Sequence, residues 1–336
     1  MPRGGRLVLV TGGAGFIGSH LVQAFLEHGE SVRVFDNFST GNMDNLSGFC
    51  NGRWKAGRDF DVIVGDVRDA KKLSHAVSGS HVIVHQAASV SVCRSVEDPL
   101  KTVEINALGT LNVFLAARYH KVDRVIYASS SSVYGNTDSL PWSEGFEGFP
   151  LSPYGLSKKN NEDYARLFRD LYGLQAVGFR YFNVYGPRQD PSSEYSAVIP
   201  KFVAALLGGD APVIYGTGMQ SRDFVYVGDV ARANLLALDA SSDAVDRAYN
   251  VGTGVRWTLL ELAAILSDLV GVEIAPHHAP PRPGDIMHSC ADPSLAREML
   301  GFEAHYDLRE GLRKSLEWYH HNLAPRVPRS VSGKPR

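Results

Sequence analysis

The sequence predicts an α/β fold in which a doubly wound parallel sheet precedes a smaller α/β lobe toward the C-terminus. Three observations support this: short apolar runs alternate with helical patterns, a glycine-rich turn joins the first strand to the first helix, and the pattern changes after residue 180. Alternation of this kind is typical of a parallel sheet covered by helices on both faces. We expect a first domain at residues 1–180, a substrate lobe at 181–322 partly interleaved with it, and a disordered tail at 323–336.

The predicted strands of the first half are nearly continuous apolar runs, which is typical of strands buried on both faces. They are expected at residues 7–10, 31–35, 61–64, 81–85, 124–128 and 176–180. The segments between them carry apolar residues at helical spacing. Helices are therefore expected at residues 19–28, 106–118 and 154–172, with a polar helix–loop insertion at 40–58.

In the second half the elements become shorter, and proline and glycine become more frequent. Helical periodicity returns in four segments, at residues 197–207, 229–238, 259–269 and 308–320. The final residues, 324–336, are rich in Pro, Arg and Ser and show no periodicity. Such composition is typical of a disordered tail.

Composition excludes several classes of protein. The chain has 336 residues, 44% hydrophobic and 21% charged, as in ordinary globular proteins. Its formal charge of −2 gives no electrostatic reason to expect nucleic acid or a membrane surface as a partner. No apolar run is long enough to span a bilayer, and the first strand begins too early to leave room for a signal peptide. Cys50, Cys93 and Cys290 lack metal-ligand spacing, so we expect no metal site, and reduced thiols in a cytoplasmic protein.

A glycine-rich turn follows the first strand. Gly12, Gly15 and Gly18 permit a tight turn and close approach of the backbone to a pyrophosphate, and the helix N-terminus favours anions. Asp36 ends the second strand, where it can accept hydrogen bonds from both ribose hydroxyls and repel a 2′-phosphate. A glycine turn without a ligand is the alternative, but the strand–turn–helix context favours a dinucleotide, and Asp36 favours NAD over NADP.

Two further strand ends are expected to meet this cofactor. Asp66 follows the third strand, where it can reach the adenine edge or cap the next helix. The segment from His85 to Ala88 follows the fourth strand and places small residues beside the cofactor. His85 itself is expected to be a packed or hydrogen-bonded core histidine.

A tyrosine and a lysine mark the start of the third predicted helix. Tyr154 and Lys158 are four residues apart and therefore share one helix face. The cation favours the phenolate, so the pKa of Tyr154 is expected to fall from about 10 toward neutral pH. This would make Tyr154 usable as a general base. An exposed helix start is the alternative, but the serine run at 129–132 and the glycine turn favour catalysis.

These motifs resemble those of the extended short-chain dehydrogenase/reductase family, in particular the UDP-hexose 4-epimerases and, among them, the UDP-N-acetylglucosamine 4-epimerases. The resemblance runs from Val10 to about Tyr319. The matching motifs are Thr11-Gly-Gly-Ala-Gly-Phe-Ile-Gly18, Asp36-Asn37, Ser-Ser-Val133-Tyr-Gly135, Tyr154-x3-Lys158, Arg180-Tyr-Phe-Asn183-Val-Tyr-Gly-Pro187, Ser221-Arg222-Asp-Phe224 and Arg282-Pro-Gly-Asp285. The resemblance implies a Rossmann-type NAD domain followed by a lobe that binds a UDP-sugar.

The resemblance also implies roles for individual residues. Tyr154 would take the proton of the sugar 4-OH, Lys158 would hold the nicotinamide ribose and lower the tyrosine pKa, and Ser130 would bridge the 4-OH and Tyr154. A neighbouring serine of the run 129–132 is the alternative to Ser130. The residues implied to bind the cofactor are Gly12, Gly15, Phe16, Ile17, Gly18, Asp36, Asn37, Asp66, Val67, Gln86, Ala87, Ala88, Asn106, Tyr154, Lys158 and Phe182. The residues implied to bind the substrate are Ser91, Ser130, Asn183, Val198, Tyr215, Arg222, Arg282, Asp285 and Ser289.

In the second lobe the resemblance assigns most contacts to the nucleotide. Arg222 and Arg282 would clamp the diphosphate, since planar guanidinium groups suit phosphate oxygens. Asp285 would hold the uridine ribose, Tyr215 would stack near the uracil, and Asn183 would bind the diphosphate or the hexose. Surface ion pairs are the alternative role for the two arginines.

Two positions narrow the reaction that the resemblance implies. Related dehydratases and decarboxylases carry carboxylates just after the catalytic Ser/Thr, where this chain has Ser131 and Ser132. Epimerases restricted to glucose and galactose usually carry a tyrosine where this chain has Ser289, which leaves space for an N-acetyl group. A small residue without a selective role is the alternative.

We therefore expect an isomerase that inverts C4 of UDP-GlcNAc or UDP-GalNAc with NAD, with UDP-Glc and UDP-Gal as further candidate substrates. The alternatives are 4-epimerisation of UDP-glucuronate, another nucleotide-sugar reaction of the family, or a non-catalytic NAD-binding protein. The helices near Pro99 and Tyr154 resemble those of the family's dimer interface, so a homodimer is expected.

Overall fold

The computed structural model describes residues 5–49, 57–135, 137, 139–191, 197–281 and 286–323. The strands are β1 (Leu7–Thr11), β2 (Ser31–Asp36), β3 (Phe60–Val64), β4 (Val82–His85), β5 (Arg124–Ser130), β6 (Gln175–Tyr181), β7 (Asn183–Tyr185), β8 (Val213–Tyr215), β9 (Ser221–Arg222), β10 (Phe224–Tyr226), β11 (Arg247–Val251), β12 (Trp257–Thr258) and β13 (His277–Ala279). The helices are α1 (Phe16–His28), α2 (Asp44–Ser47), α3 (Ala70–Val77), α4 (Val92–Glu97), α5 (Pro99–Val103), α6 (Gly109–Tyr119), α7 (Pro153–Tyr172), α8 (Val198–Gly208), α9 (Val227–Leu238), α10 (Leu259–Val270), α11 (Ser294–Leu300) and α12 (Leu308–Leu323).

A seven-stranded parallel sheet forms the centre of the molecule, with strand order β11-β6-β5-β4-β1-β2-β3. The chain adds β2 and β3 on one side of β1 and then returns to add β4, β5 and β6 on the other side. The order therefore reverses between β1 and β4. In sheets of this kind a crevice opens at that point, beyond the carboxyl ends of the strands, and it is the usual place for a ligand.

Both faces of the sheet are covered by helices, as the near-continuous apolar strands predicted. Val8 and Val10 of β1 belong to a cluster that includes Phe25 of α1. Leu9, which points to the opposite face, belongs to a second cluster with Phe114 of α6. The predicted doubly wound α/β sheet is thus confirmed, and the six strands predicted in the first half are all present.

The second half of the chain builds a smaller layer of short paired strands and helices. Three two-stranded sheets join β7 to β10, β8 to β13 and β9 to β12. Phe202 of α8, Leu266 of α10 and Leu312 of α12 are fully or almost fully buried in one cluster with the strands. This half also returns to the central sheet, because β11 pairs with β6 and α9 packs on α1.

In two segments the structure adds local detail to the sequence predictions. A π-helical turn, Glu104–Leu108, precedes α6 within the segment predicted as one helix. The predicted insertion at 40–58 contains only the single-turn helix α2 in its described part, which excludes 50–56. The predicted tail at 324–336 lies outside the described residues. Within the ranges described, no helix has both the length and the apolar character needed to cross a membrane.

Candidate active site

The glycine turn after β1 is packed so tightly that side chains are excluded from it. Gly12 has φ of +69°, and a Cβ there would lie 2.7 Å from the Ala87 nitrogen. A Cβ on Gly18 would lie 2.0 Å from the Gly12 carbonyl oxygen. Gly15 begins α1 without a side-chain cap, so the first amides of this helix face the turn with Phe16 and Ile17 as its first residues. A phosphate fits this backbone pocket, because amide donors and the helix dipole both favour an anion.

Two carboxylates lie at the neighbouring strand ends. Asp36 at the end of β2 accepts from the amides of Ala14 (2.9 Å) and Phe38 (2.8 Å), which orient its side chain. Asp66 accepts from Asn37 Nδ2 at 2.8 Å and forms a fork with Arg68 at 2.9 and 2.8 Å. The hydrogen bonds from Arg68 hold the pKa of Asp66 well below its usual range.

The capping role considered for Asp66 belongs to another residue. The side chain of Asp69 accepts from the Lys72 amide and caps α3. Asp66 instead pairs with Arg68, so the prediction of an Asp66 cap was wrong. The helix begins at Ala70, six residues after the end of β3, so its N-cap position falls on Asp69, three residues beyond Asp66.

The loop after β4 is tied to the catalytic helix through Asn106. Its side-chain oxygen accepts from the Ser89 amide at 2.7 Å, and its nitrogen donates to the Ser89 carbonyl at 2.9 Å and to Ser157 Oγ at 3.0 Å. Gln86 in the same loop donates to the Tyr181 hydroxyl at 3.2 Å, and Ala87 and Ala88 follow it. Loop and helix are thus held in one arrangement by a fully buried amide.

Three other residues predicted at the crevice pack against, or hydrogen-bond with, neighbouring side chains. Val67 is buried and would clash with any Cβ added at Gly109. Phe182 packs against Tyr134, with ring centroids 6.3 Å apart. His85 lies at hydrogen-bonding distance from the hydroxyls of Thr11 and Thr110, and burial followed by the charge of Lys158 lowers its pKa to about 3. The prediction that His85 is a hydrogen-bonded core residue is therefore confirmed.

The serine run, the tyrosine and the lysine meet at the carboxyl end of β5. Ser152 caps α7 by accepting from the Gly155 amide, so Tyr154 lies in the first turn of the helix. Tyr154 and Lys158 are both buried, and the Ser130 hydroxyl lies close enough to the tyrosine hydroxyl to oppose the rise that burial causes in its pKa. Lys158 Nζ donates to the Ala128 carbonyl at 2.9 Å and lies 5.9 Å from the centroid of the Tyr154 ring.

The structure separates the serines that the sequence could not distinguish. Ser129 donates to Glu162 at 2.6 Å, whereas Ser130, the next residue, contacts Tyr154. Successive side chains of a strand point to opposite sides, so only one of the two can meet the phenol. Ser132 donates its amide to Ser130 Oγ at 3.1 Å, which completes the turn.

The predicted direction of the tyrosine pKa shift was wrong. Burial raises the pKa of Tyr154 above its usual value, although the hydrogen bond from Ser130 partly opposes this. Burial also lowers the pKa of Lys158 to about 8. The predicted fall rested on the attraction between the cation and the phenolate. Desolvation, which disfavours both charged forms, outweighs that attraction here.

Three of the residues predicted to bind the sugar nucleotide, Asn183, Tyr215 and Arg222, lie on short strands of the second half. Arg222 of β9 donates to the Ser221 carbonyl at 2.9 Å. Asn183, the first residue of β7, donates to the Asp223 carbonyl at 3.3 Å. Tyr215 ends β8 and is 37% exposed, Val198 begins α8, and Ser91 caps α4. Arg282 and Asp285 lie outside the described residues.

Ser289 lies in a segment that contacts both strand β9, which carries Arg222, and the loop that follows the serine run. Its amide donates to the Ser221 carbonyl at 3.1 Å, beside Arg222. The next carbonyl, that of Cys290, accepts from the Trp142 amide at 2.8 Å, and Trp142 packs on Tyr134 after the serine turn. The Ser289 hydroxyl is buried and has no hydrogen-bond partner within the described part of the chain.

Sequence reasoning missed three buried ionic residues near the site. Glu162 lies eight residues after Tyr154 on α7 and forms a fork with Arg180 of β6. Asp223, between β9 and β10, accepts from the amides of Thr253, Gly254 and Ala291. A signal was present, since a charged residue inside an otherwise apolar strand, such as Arg180, is rarely buried without a partner.

Comparisons with known proteins agree with this geometry. Residues 8–252 match a family model described as the NAD dependent epimerase/dehydratase family. A relative from Methanocaldococcus jannaschii, described as a putative UDP-glucose 4-epimerase, is 40% identical, and the match covers 94% of this chain and 99% of the relative.

Two solved structures are similar over nearly their whole length. A UDP-N-acetylglucosamine 4-epimerase from Methanobrevibacter ruminantium, in complex with UDP-N-acetylmuramic acid, is 39% identical with a TM-score of 0.88, covering 95% of this chain and 99% of its own. A UDP-glucose 4-epimerase from Thermus thermophilus, in complex with NAD, is 36% identical with a TM-score of 0.84, covering 94% and 99%.

Proposed function

The chain belongs to the NAD dependent epimerase/dehydratase family, and we propose that it catalyses the reversible inversion of C4 of a UDP-hexose. The single observation that carries this proposal is the buried set of Ser130, Tyr154 and Lys158 at the carboxyl end of β5. The enzyme is an NAD-dependent isomerase of the same kind as the relatives that its sequence and fold match. All three side chains lie on regular elements that converge beside the switch point of the sheet.

The residues around the glycine turn suit NAD. The amides at the start of α1 would hold the pyrophosphate, Asp36 would accept from the adenine ribose, and Lys158 would donate to the nicotinamide ribose. When bound, NAD supplies a hydride acceptor for C4 of the sugar and returns the hydride to either face, with a transient 4-keto sugar in between. Phosphate binding needs Gly12 and Gly18 in particular, because a Cβ at either would close the turn.

The side chains of this chain move the proton of the sugar hydroxyl. Tyr154 takes the proton of the 4-OH and later gives it back, so there is no net change in its ionisation. Because burial raises the pKa of Tyr154, the phenolate depends on the hydrogen bond from Ser130 and on positive charge brought near it. Lys158, whose pKa is about 8, is predominantly an ammonium at neutral pH and supplies part of that charge.

Elimination and decarboxylation lack their usual acid or base in this site. The two positions after Ser130 are Ser131 and Ser132, which carry no carboxylate. Two carboxylates in the described part of the following loop have other partners: Glu144 accepts from the Asn250 amide at 2.6 Å, and Glu147 pairs with Arg180. This supports epimerisation over dehydration within the family.

For the sugar, we propose UDP-GlcNAc and UDP-GalNAc as preferred substrates. Ser289 has a small side chain, and its buried hydroxyl lacks a partner in the described part of the chain. An acetamido group could supply that partner, whereas a tyrosine at this position would occupy the space. The similar structure described as a UDP-N-acetylglucosamine 4-epimerase adds support.

Incubation of the purified enzyme with single substrates tests the function. UDP-GlcNAc, UDP-Glc and UDP-GlcA are supplied separately without added cofactor, and the 4-epimers are separated by chromatography. We expect the 4-epimer of UDP-GlcNAc to form fastest. Inversion of UDP-GlcA alone would overturn the substrate proposal in favour of a glucuronate epimerase, and no inversion of any substrate would overturn the reaction.

Ser289→Tyr tests the sugar preference directly. The variant is expected to lower kcat/KM for UDP-GlcNAc relative to UDP-Glc by roughly 10- to 200-fold, the range that steric rejection of a small group usually gives. Ser294→Tyr, at the exposed first residue of α11, is a control for the same substitution away from the site. An unchanged ratio of the two kcat/KM values would remove Ser289 as the determinant.

We also propose that the enzyme is a homodimer. The helices α5 and α7 pack side by side, and they carry several large apolar side chains that are exposed in the single chain. These exposed residues are Leu100, Val103, Leu156, Leu167 and Leu171. Apolar surface of this kind is typical of an interface. Sedimentation equilibrium of the purified protein distinguishes a dimer from a monomer.

The cytoplasm is the compartment we propose. Both described cysteines, Cys93 and Cys290, are free thiols, as is usual where cellular thiols are kept reduced. Fractionation of the source cells would test this assignment.

A further inference from the structure

Three residues of α7 contact three consecutive residues of β5. Tyr154, Lys158 and Glu162 follow each other at intervals of four along the helix and therefore share one face. Tyr154 meets Ser130, Lys158 Nζ meets the Ala128 carbonyl at 2.9 Å, and Glu162 accepts from Ser129 at 2.6 Å. The first two contacts belong to the catalytic set, and the third has the same geometry but no part in proton or hydride transfer.

Glu162 is held from its other side by a buried arginine. Arg180 of β6 donates through Nε to Glu162 Oε1 at 2.9 Å and through its second amino group to Oε2 at 2.7 Å. In the sheet, Arg180 is the partner of Ser129, so strand β6 supports strand β5 at this level. Burial alone would lower the pKa of Arg180, but hydrogen bonding to Glu162 outweighs it and keeps that pKa well above its usual value, so the guanidinium remains charged.

The same arginine reaches the loop that follows the catalytic serine. It donates to the Tyr134 hydroxyl at 3.0 Å, and Tyr134 donates to Asn250 Oδ1 at 2.7 Å on β11. Arg180 also pairs with Glu147, which lies in the segment before α7. One guanidinium thus connects the strand, the loop and the helix that together carry Ser130, Tyr154 and Lys158.

A buried ion pair of this type is an inefficient way to stabilise a fold. Desolvation of both charges usually cancels their attraction, and apolar replacements often stabilise such sites. Its value lies in direction, because a bidentate fork accepts only one relative orientation of its partners. The position of this pair, one helical turn beyond Lys158, therefore matters more than its strength.

We propose that Glu162, held by Arg180, is a positioning residue that sets α7 against β5 so that Tyr154 and Ser130 meet. The inference rests on the proposed epimerase function. If the contact between Glu162 and Ser129 is lost, the end of β5 and the first turns of α7 are free to separate. The hydrogen bond from Ser130 to Tyr154 then weakens, while the residues that bind the nucleotide on the second-half strands stay in place.

Glu162→Gln is the main test, because it removes the charge and keeps the shape of the side chain. We expect kcat to fall roughly 10- to 100-fold, as misplacement of a catalytic group by about 1 Å does, and KM to stay within about two-fold of wild type. Since Ser130 partly opposes the rise that burial causes in the pKa of Tyr154, the loss of this effect is expected to move the acid limb of the kcat–pH profile to higher pH.

Two further variants separate positioning from stability. Asp163→Asn removes the neighbouring carboxylate of the same helix, which pairs with Arg166 at the surface, and is expected to leave kcat and the pH profile unchanged. Ser129→Ala removes the contact to β5 and keeps the ion pair, so kcat is expected to fall several-fold with little change in melting temperature.

The ionisation of Tyr154 can be followed without turnover. Ultraviolet tyrosinate absorbance is titrated in the wild type and in Glu162→Gln, each minus its Tyr154→Phe counterpart. A higher Tyr154 pKa in Glu162→Gln supports positioning even if no UDP-sugar is epimerised, in which case only the proposed function fails. If the wild type epimerises and Glu162→Gln keeps its kcat, acid limb and Tyr154 pKa, the positioning role is overturned, whatever the melting temperature.

Discussion

The end of β5, where we propose catalysis, and the short strands of the second half, where we propose nucleotide binding, are built in different ways. At β5 every functional side chain is buried and contacts another regular element, as Lys158 contacts Ala128 and Glu162 contacts Ser129. In the second half, Arg222 lies half-buried on a two-residue strand and Tyr215 is 37% exposed at the end of a three-residue strand. The groups proposed to react are buried between regular elements, whereas the groups proposed to bind the nucleotide lie on short strands and are partly exposed.

This difference suits the proposed reaction. Inversion at C4 requires the sugar to present both of its faces to one fixed base, while the nucleotide stays bound. A rigid proton-transfer site fulfils the first requirement, because misplacement by a fraction of an ångström slows the chemical step. Binding of the diphosphate can tolerate more movement, because several donors contact it and the loss of ideal geometry at one donor removes only part of the binding energy.

The largest expected effect is at the rigid site. Tyr154→Phe removes the base and is expected to lower kcat roughly 10²- to 10⁴-fold, the usual contribution of a positioned proton-transfer group. The NAD content and the melting temperature are expected to stay close to wild type, because the phenol hydroxyl is a minor part of the packing. Turnover is measured by chromatography of the epimers. Near-wild-type turnover would contradict the role of Tyr154 as the base.

A smaller effect, of a different kind, is expected on the second-half strands. Arg222→Ala removes charge-assisted hydrogen bonds worth about 1.5–3 kcal/mol, so KM is expected to rise roughly 10- to 100-fold. The change in kcat is expected to be much smaller, because Arg222 lies on β9 and not beside Tyr154. Arg309→Ala is the control. Arg309 is an exposed arginine at the start of α12, where it pairs with Asp268 of α10. A large fall in kcat without a rise in KM would contradict the division between the two regions.

The smallest effect concerns stability at acid pH. Burial and the charge of Arg188 lower the pKa of His20 to about 4, and burial and the charge of Lys158 lower that of His85 to about 3. An unfolded chain binds protons at both residues near pH 6.5, so stability is present above that pH and is lost as the pH falls toward about 4. The expected slope is about 1.4 kcal/mol per pH unit for each histidine.

Chemical denaturation between pH 7 and pH 5 measures this slope. His20→Gln is expected to remove about half of it, since one of the two proton-binding differences disappears. A slope that is unchanged in this variant would show that His20 is already protonated in the folded protein. The result would locate acid sensitivity in the central sheet and its helices, to which both histidines belong.

Much of the fold followed from local patterns. Alternating apolar runs predicted the six strands of the first half, and helical spacing predicted α7, α8, α9, α10 and α12 but not the short α11, because periodicity depends only on neighbouring residues. Boundaries within the site were harder. The π-helical turn that places Asn106 and the cap at Asp69 depend on packing against α7 and α3, and no local signal distinguished Asp69 from Asp66.

By itself, the sequence determined the parallel sheet, the glycine turn with Asp36, and the pairing of Tyr154 with Lys158 on one helix face. These features follow from the spacing of residues along the chain, which does not depend on how the rest of the chain packs. Only the tertiary structure decided that Ser130 rather than Ser129 meets the phenol, that Glu162 and Arg180 hold the helix, and that the pKa of Tyr154 rises. Those outcomes depend on burial and on contacts between strands far apart in sequence, and the sign of a pKa shift is the balance of desolvation against charge that only packing sets.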